Sequence, residues 1–314
     1  MRPVRAVRNS DSGIRVVDVP APDHPGSRVR VRAAGICGSD LEMVRTGLAA
    51  GTLGHEIAGV LDDGAEVAIH PFVPCGVCAQ CASGRFQLCR ETTASMLGVF
   101  TDGGMADEIV VAPSCVVHLP AGIGAADASI VEPLAVALHA CHRAGVESGM
   151  RVGVIGAGTI GLLSGAVARH LGADVSIVAR HDAQQRGAEA LGLGLTAPRD
   201  CDIVFEAAGT TSGFDAAVRA CRRSGTIGLV STTWEPIPIS FLNAQMREVT
   251  IVPAFVYGEA HGQREFETAA ALLGEHPEII PALITHRFGL DEARRAFEVA
   301  TDRAHGAIKV VLHP

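Results

Sequence analysis

Cys75, Cys78, Cys81 and Cys89 stand in the segment PCGVCAQCASGRFQLC at the spacing C-x2-C-x2-C-x7-C. Thiolates at such intervals can wrap one ion: zinc takes four of them tetrahedrally at roughly 2.3 Å, and an all-cysteine site leaves no position for water. This lobe is therefore expected to serve folding, with Gly76 and Gly84 easing the wrapping. A chance cluster of reduced thiols and an iron–sulfur cluster are the alternatives, and the spacing differs from the ferredoxin runs. A second set of candidate ligands is dispersed: Cys37 in GICGSD, His55 and Glu56 in GHE, and Glu132 in EPL. A catalytic zinc keeps about three protein ligands and one exchangeable position. Cys37 and His55 would supply two, and Glu56 and Glu132 are the candidates for the rest. Singly each has a bland reading, as a core thiol, a satisfied polar ring or an acid at a helix start; the joint pattern carries the signal.

A third motif is GAGTIG at 156–161, with Gly156, Gly158 and Gly161 in G-x-G-x-x-G register and Thr159 and Ile160 between them. The first glycine permits a tight turn, the second lets backbone approach a pyrophosphate, and the third lets the helix pack closely. Free N–H groups at the helix start then face the phosphates. Enzymes that bind NAD carry an acid roughly twenty residues on, for the ribose 2′-hydroxyl. Here the strand ends in Val178-Ala179-Arg180-His181 with no acid. Arg180 can offer a charge-assisted fork to a 2′-phosphate, so the reading is NADP in preference to NAD.

These residues need two kinds of scaffold. The first third of the chain is strand-like and punctuated by Gly and Pro; residues 28–32, RVRVR, alternate with Val29 and Val31 on one face and a solvated arginine face. From about residue 130 the pattern changes. Pro133 follows Glu132 and opens an apolar helix, and strands then alternate with helices, including one helix that runs through Arg222. Such alternation implies parallel βαβ units. LDEARRAFEVATD reads as a late helix burying Ala293, Phe297 and Ala300, and IKVVL as a last strand. With 314 residues the chain is natural for two domains.

Composition narrows the partners. Net charge is -8, which favours no polyanion, so no nucleic-acid partner is expected. The uncharged run Val152–Ala168 is short for a membrane span and is broken by the glycine turn, so no membrane partner is expected either. Lys309 is the only lysine among 26 basic residues, which reads first as coding bias. The start, MRPVRAVRNSDSG, lacks an apolar secretory core, and thiolate-bound zinc suits a reducing compartment, so a cytoplasmic location is expected. Cys115, Cys141, Cys201 and Cys221 read as small buried hydrophobes.

The set GICGSD, GHE, the cysteine lobe, EPLAVALHA, GAGTIG, LITHRFGLDEARRAFE and IKVVL resembles the zinc-dependent branch of the medium-chain dehydrogenase/reductase family, its polyol and threonine dehydrogenases above all. The resemblance covers nearly the whole chain. It implies an α/β protein: a GroES-like, mostly-β catalytic domain at 1–128 with the zinc lobe at about 74–90, a Rossmann doubly wound parallel sheet binding NADP at 129–258, and a segment at 259–314 that completes the catalytic domain. It makes Cys37 and His55 catalytic-zinc ligands and matches Glu56 and Glu132 to positions that bind or approach that zinc. Ser39 matches the hydroxyl linking substrate oxygen to a proton relay, and Asp40 a supporting position. Two zinc ions per chain, a small alcohol or ketone substrate and a homodimer or homotetramer follow from the same resemblance. A polar secondary alcohol, such as a polyol, sugar or cyclitol, is the implied substrate class.

Departures from the family pattern stand beside these matches. Glu42 occupies the place of the relay histidine found in many relatives, and only fourteen residues separate Asp40 from His55. Two other readings compete. One is a zinc-free enone or quinone reductase of the same superfamily, whose members generally lack this ligand set. The other is a catalytically silent cofactor-binding scaffold, against which the joint presence of Cys37, Ser39, His55, Glu56 and Glu132 argues.

Overall fold

The computed structural model describes residues 3–49, 51–302 and 306–314. These form two compact units, one of Met1–Glu132, Gly258–Ile280 and Ile284–Pro314, the other of Pro133–Tyr257 and Pro281–Leu283.

The first unit is built on a seven-stranded sheet. Its central strand, Ser27–Gly35, is the RVRVR segment: Val29 and Val31 are buried, Arg30 and Arg32 are exposed, and Arg28 pairs with Glu108. Period-two alternation thus sorts the two faces as expected. Glu56–Leu61 pairs antiparallel along one edge of this strand, followed outward by Glu66–Ile69 and Val116–His118. Along the other edge, Glu108–Val111 pairs with the first half and Lys309–His313 with the last two residues, Ala34 and Gly35. Ile284–Gly289 closes that side, parallel to Lys309–His313. The late helix spans Ala293–Thr301 and buries Ala293, Ala296 and Phe297, while Ala300 is only partly covered. These side chains join Val29, Val31, Ile57, Ile69, Val310 and Leu312 in one core.

The second unit holds a parallel five-stranded sheet in the order Thr250–Pro253, Cys221–Leu229, Cys201–Glu206, Arg151–Ile155, Asp174–Val178. Helices Thr159–His170, Asp182–Ala190, Thr211–Ala220 and Phe241–Arg247 intervene along the chain. This is the doubly wound class expected from strand–helix alternation. The uncharged run 152–168 is resolved into strand, turn and helix, and no helix among the described residues is long and apolar enough to cross a membrane.

Two boundaries differ from the sequence expectation. The helix expected to run through Arg222 stops at Ala220, because Cys221 is already paired with Cys201 in the sheet and Arg222 donates to Asp202 at 2.7 Å. The helix expected to open at Pro133 begins at Val131. Pro133 therefore lies within the first turn, where its missing N–H breaks no helical bond.

Candidate functional site

The four cysteines converge on one point. Cys78 precedes the one-turn helix Ala79–Ala82, and Cys89 follows the 3-10 turn Phe86–Leu88. All four Sγ atoms lie within 4.8 Å of one another. Cys75 and Cys78 approach Cys81 to 3.9 and 3.6 Å. A tetrahedron with arms of about 2.3 Å has edges of about 3.8 Å, so these separations suit four thiolates on one zinc. The backbone prepares the charge: the Cys75 N–H, 3.5 Å from the Cys89 sulfur, leads the contacts that push the Cys89 thiol down to about 6. Cys78 is also lowered, first by the Cys81 backbone N–H, whereas desolvation pushes Cys81 up to about 12.

The second cluster is assembled by the sheet. Cys37 caps the helix Gly38–Thr46, and its backbone N–H donates to Asp40 Oδ2 at 2.9 Å. His55 immediately precedes the Glu56–Leu61 strand. Ligand atoms of Cys37, His55 and Glu56 lie within 4.8 Å of one another, and Ser39 Oγ is 3.4 Å from His55 Nε2. On the far side of the ring, His55 Nδ1 lies 3.6 Å from Asp40 Oδ1. Both atoms are buried and lack hydrogen-bond partners. A short closing movement on ion binding would join them, and a carboxylate behind a ligating imidazole is the arrangement that fixes tautomer and ring orientation. The donor set therefore fits a metal held through His55 Nε2 and the Cys37 sulfur.

Burial raises the Asp40 carboxyl, against the pull of His55. Burial opposes a charge on His55, yet Asp40 and then Cys37 outweigh it and lift its pKa well above the ordinary value. Glu132 is buried in the first turn of Val131–Ala144 and acts on His55 through space, but it lies outside the group of three.

Glu56 has a second partner. Lys309 Nζ donates to Glu56 Oε1 at 2.6 Å, to Oε2 at 2.7 Å and to the Ile36 carbonyl at 3.0 Å. Burial works against the ammonium, but Glu56 and then Cys37 keep its pKa raised. The lysine read as a remnant of coding bias is thus a buried partner of the candidate centre. Its rarity was the available signal. Glu42, at the position where the resemblance places a relay residue, is paired with Arg45 at 2.8 Å.

In the second unit the glycine motif folds as its spacing demands. Gly156 has φ +106°, and a Cβ there would meet Ala207 and Ala208 backbone at 2.9 Å; a Cβ on Gly161 would meet the Gly156 carbonyl at 1.8 Å. A Cβ on Gly158 would meet nothing within 4 Å, so the helix start it caps is open to an approaching group. Thr159 and Ile160 form the first turn. Arg180 is exposed just after the Asp174–Val178 strand, and its backbone N–H donates to Gln184 Oε1 at 3.1 Å. A residue not singled out in the sequence also shapes this turn. Buried Glu206 accepts from the Ala208 and Gly209 N–H groups at 3.0 Å each and pairs with Ser231 Oγ, fixing the loop against which Gly156 packs. The acid that ends the apolar DIVFE strand was the signal for it.

Residues 25–121 match the alcohol dehydrogenase GroES-like domain. Sorbitol dehydrogenase of Gallus gallus is 31% identical, over 95% of this chain and 93% of its own. Galactitol 1-phosphate 5-dehydrogenase of Escherichia coli K12 is 30% identical, over 98% and 99%. Among solved structures, a protein described as a zinc-binding dehydrogenase from Sinorhizobium meliloti, bound to NADP, superposes with a TM-score of 0.87 at 28% identity and full coverage of both chains. Galactitol-1-phosphate dehydrogenase from Escherichia coli does so with a TM-score of 0.87 at 29% identity, over 99% of this chain and all of its own. With the sheet, the ligand cluster and the glycine turn on the same chain as these likenesses, the chain belongs to the zinc-dependent medium-chain dehydrogenase/reductase family, as an oxidoreductase of its polyol dehydrogenase branch.

Proposed function

We propose that the protein transfers a hydride between a polar secondary alcohol and NADP, using zinc at the Cys37–His55 cluster and keeping a second zinc in the four-cysteine lobe. The observation that carries this reading is the meeting of Cys37, His55 and Glu56 within 4.8 Å, with Ser39 3.4 Å from the ring nitrogen. Cys37 and His55 would hold the catalytic ion, with Glu56 and Glu132 as the acids beside it. When bound, zinc supplies Lewis acidity toward the substrate oxygen, and the nicotinamide supplies the hydride chemistry.

The chain's own groups do the rest. Asp40, 3.6 Å behind His55 Nδ1, would hold the ring in place once an ion is bound, and Ser39 Oγ would carry a proton to or from the substrate oxygen. Glu42 is engaged by Arg45, so in this reading the proton leaves Ser39 without a side-chain relay at that position. Gly156, Gly158, Thr159, Ile160 and Gly161 would receive the pyrophosphate, and Arg180 a 2′-phosphate. Residues 1–128 and 259–314 would make the catalytic domain and 129–258 the cofactor domain. Polyol and polyol-phosphate activities are named for the relatives, and a polyol, sugar or cyclitol is the substrate class carried over from them. A homodimer or homotetramer in the cytoplasm, where nine unbridged cysteines stay reduced, completes the reading.

The test is reduced-nicotinamide absorbance with NADP and then NAD across polyols, sugars, amino-cyclitols and simple alcohols. Turnover of one polar class with NADP is the expected result. NADP binding without turnover of any alcohol or carbonyl would leave a silent scaffold instead. Arg180→Ala is expected to lower kcat/KM for NADP by roughly 10- to 100-fold, the worth of a charge-assisted contact, and to leave the value for NAD unchanged.

A further inference from the structure

The Glu56 side chain leaves its strand and crosses its neighbour. Glu56 pairs with Gly35, and Gly35 pairs on its other edge with Val311 of the strand that carries Lys309. A Cβ on Gly35 would stand 1.9 Å from Glu56 Oε2. Only glycine there leaves a path over the central strand, so the sheet keeps a passage through which one carboxylate meets one ammonium. Both groups are almost fully buried, with side chains 1% and 3% exposed.

The ammonium is also specific to this place. Every other basic residue outside histidine is arginine, yet this position keeps lysine. Its three donors meet three acceptors, both Glu56 oxygens and the Ile36 carbonyl. A compact ammonium with three donors fits such a convergence, and a planar guanidinium does not. Ile36 adjoins Cys37, so the same ammonium touches the backbone beside a candidate ligand. A Glu56 oxygen lies within 4.8 Å of the Cys37 and His55 ligand atoms. One buried carboxylate thus faces two cations, a resident ammonium and the expected metal.

We propose that Lys309 and the metal compete for the Glu56 carboxylate, Lys309 being the positioning residue that holds Glu56 back and leaves a coordination position for the substrate oxygen. The proposal rests on the reading of Cys37 and His55 as metal ligands. Competition of this kind is reciprocal: if Lys309 weakens the metal's hold on Glu56, the metal weakens the ion pair by the same factor.

The test is zinc affinity at the second site, measured by competition with a chromophoric chelator in wild type, Lys309→Met, Glu56→Gln and the double variant. Lys309→Met is expected to bind zinc roughly tenfold more tightly, within the usual range for coupled sites. The Glu56→Gln and double variants should match each other. A merely supportive lysine would give the opposite sign, since damage to the site weakens binding. Equal or weaker zinc binding by Lys309→Met, with wild type holding two zinc ions, overturns the proposal. A wild type that takes only one zinc overturns the metal reading beneath it.

A second measurement does not depend on that variant folding. Wild-type protein labelled with 13C at lysine Cε has one lysine resonance, because the chain has one lysine. Adding the second equivalent of zinc should shift that resonance in wild type and not in Cys37→Ala. An unmoved wild-type resonance under full zinc loading also overturns the proposal.

Discussion

The two proposed metal clusters are made in opposite ways. The cysteine lobe draws its four candidate ligands from a single excursion of chain, with Cys75 exposed and Cys89 buried. Its backbone N–H groups already favour thiolate at Cys78 and Cys89. The Cys37–His55 cluster draws on a helix cap, a strand entry and, through Lys309, a strand 253 residues from Glu56 in sequence. Two of its three residues have something behind them: Asp40 behind His55, Lys309 behind Glu56. A site that only ties the chain together needs ligands. A site that turns over needs ligands held in place and one position kept free.

The contrast breaks most visibly at Cys37. Cys37→Ala is expected to lower kcat/KM by about 10³-fold or more, the value of several kcal/mol of Lewis-acid stabilisation. Zinc content should fall from two ions to one, with little change in Tm. Cys78→Ser should do the reverse. Loss of one ligand from a closed site costs about 3 kcal/mol and roughly 10 °C in Tm for a unit of this size, while folded protein that keeps the catalytic zinc stays active. Metal analysis, melting curves and initial rates on the two variants separate these outcomes. Equal effects on Tm would erase the distinction between the clusters.

Asp40→Asn acts on one cluster alone. It removes the charge behind His55 and keeps the shape. Zinc affinity at the Cys37–His55 site should fall by roughly 10- to 100-fold, with the lobe zinc unaffected. Chelator competition resolves the two affinities in one titration.

The smallest effect concerns the packing beside the lobe. His70 is buried against Phe72, Phe86 and Phe266, with ring centroids 4.2, 5.9 and 5.3 Å away, and its Nδ1 lies 2.9 Å from the Phe72 carbonyl. Burial, helped by Arg264, lowers its pKa from 6.5 to about 3. Between those values the unfolded chain takes up a proton that the folded chain refuses. The contribution is therefore complete above about pH 6.5 and falls as pH drops toward 3. At pH 5 the loss is about 2 kcal/mol. Denaturant unfolding at pH 7 and pH 5 should show it in wild type and not in His70→Leu.

What was legible in the sequence follows the same division. The lobe could be read because its ligands lie within one short segment, and the glycine turn because each glycine answers a local steric demand. Cys37, His55, Glu56 and Glu132 could be named only as a joint pattern, since no spacing among them implies contact. Lys309 was marked only by its rarity: its partner lies in strand order, with Gly35 opening the way between two strands that flank a third. Glu206 was marked only as an acid ending an apolar strand; its partners are backbone groups of a loop whose shape the fold defines. The helix expected to run through Arg222 ends at Ala220 because sheet pairing at Cys221 sets its end, and local helix preference does not report that.

In the proposed reading the chain carries one closed, structural metal site and one open, working site. Graded zinc removal from the holoenzyme separates the two, with zinc content, turnover and Tm followed together. Turnover should vanish as the first equivalent of zinc leaves, while Tm holds until the second is removed. Turnover that survives loss of the first zinc and falls only with the fold would mean that the Cys37–His55 cluster holds no working metal.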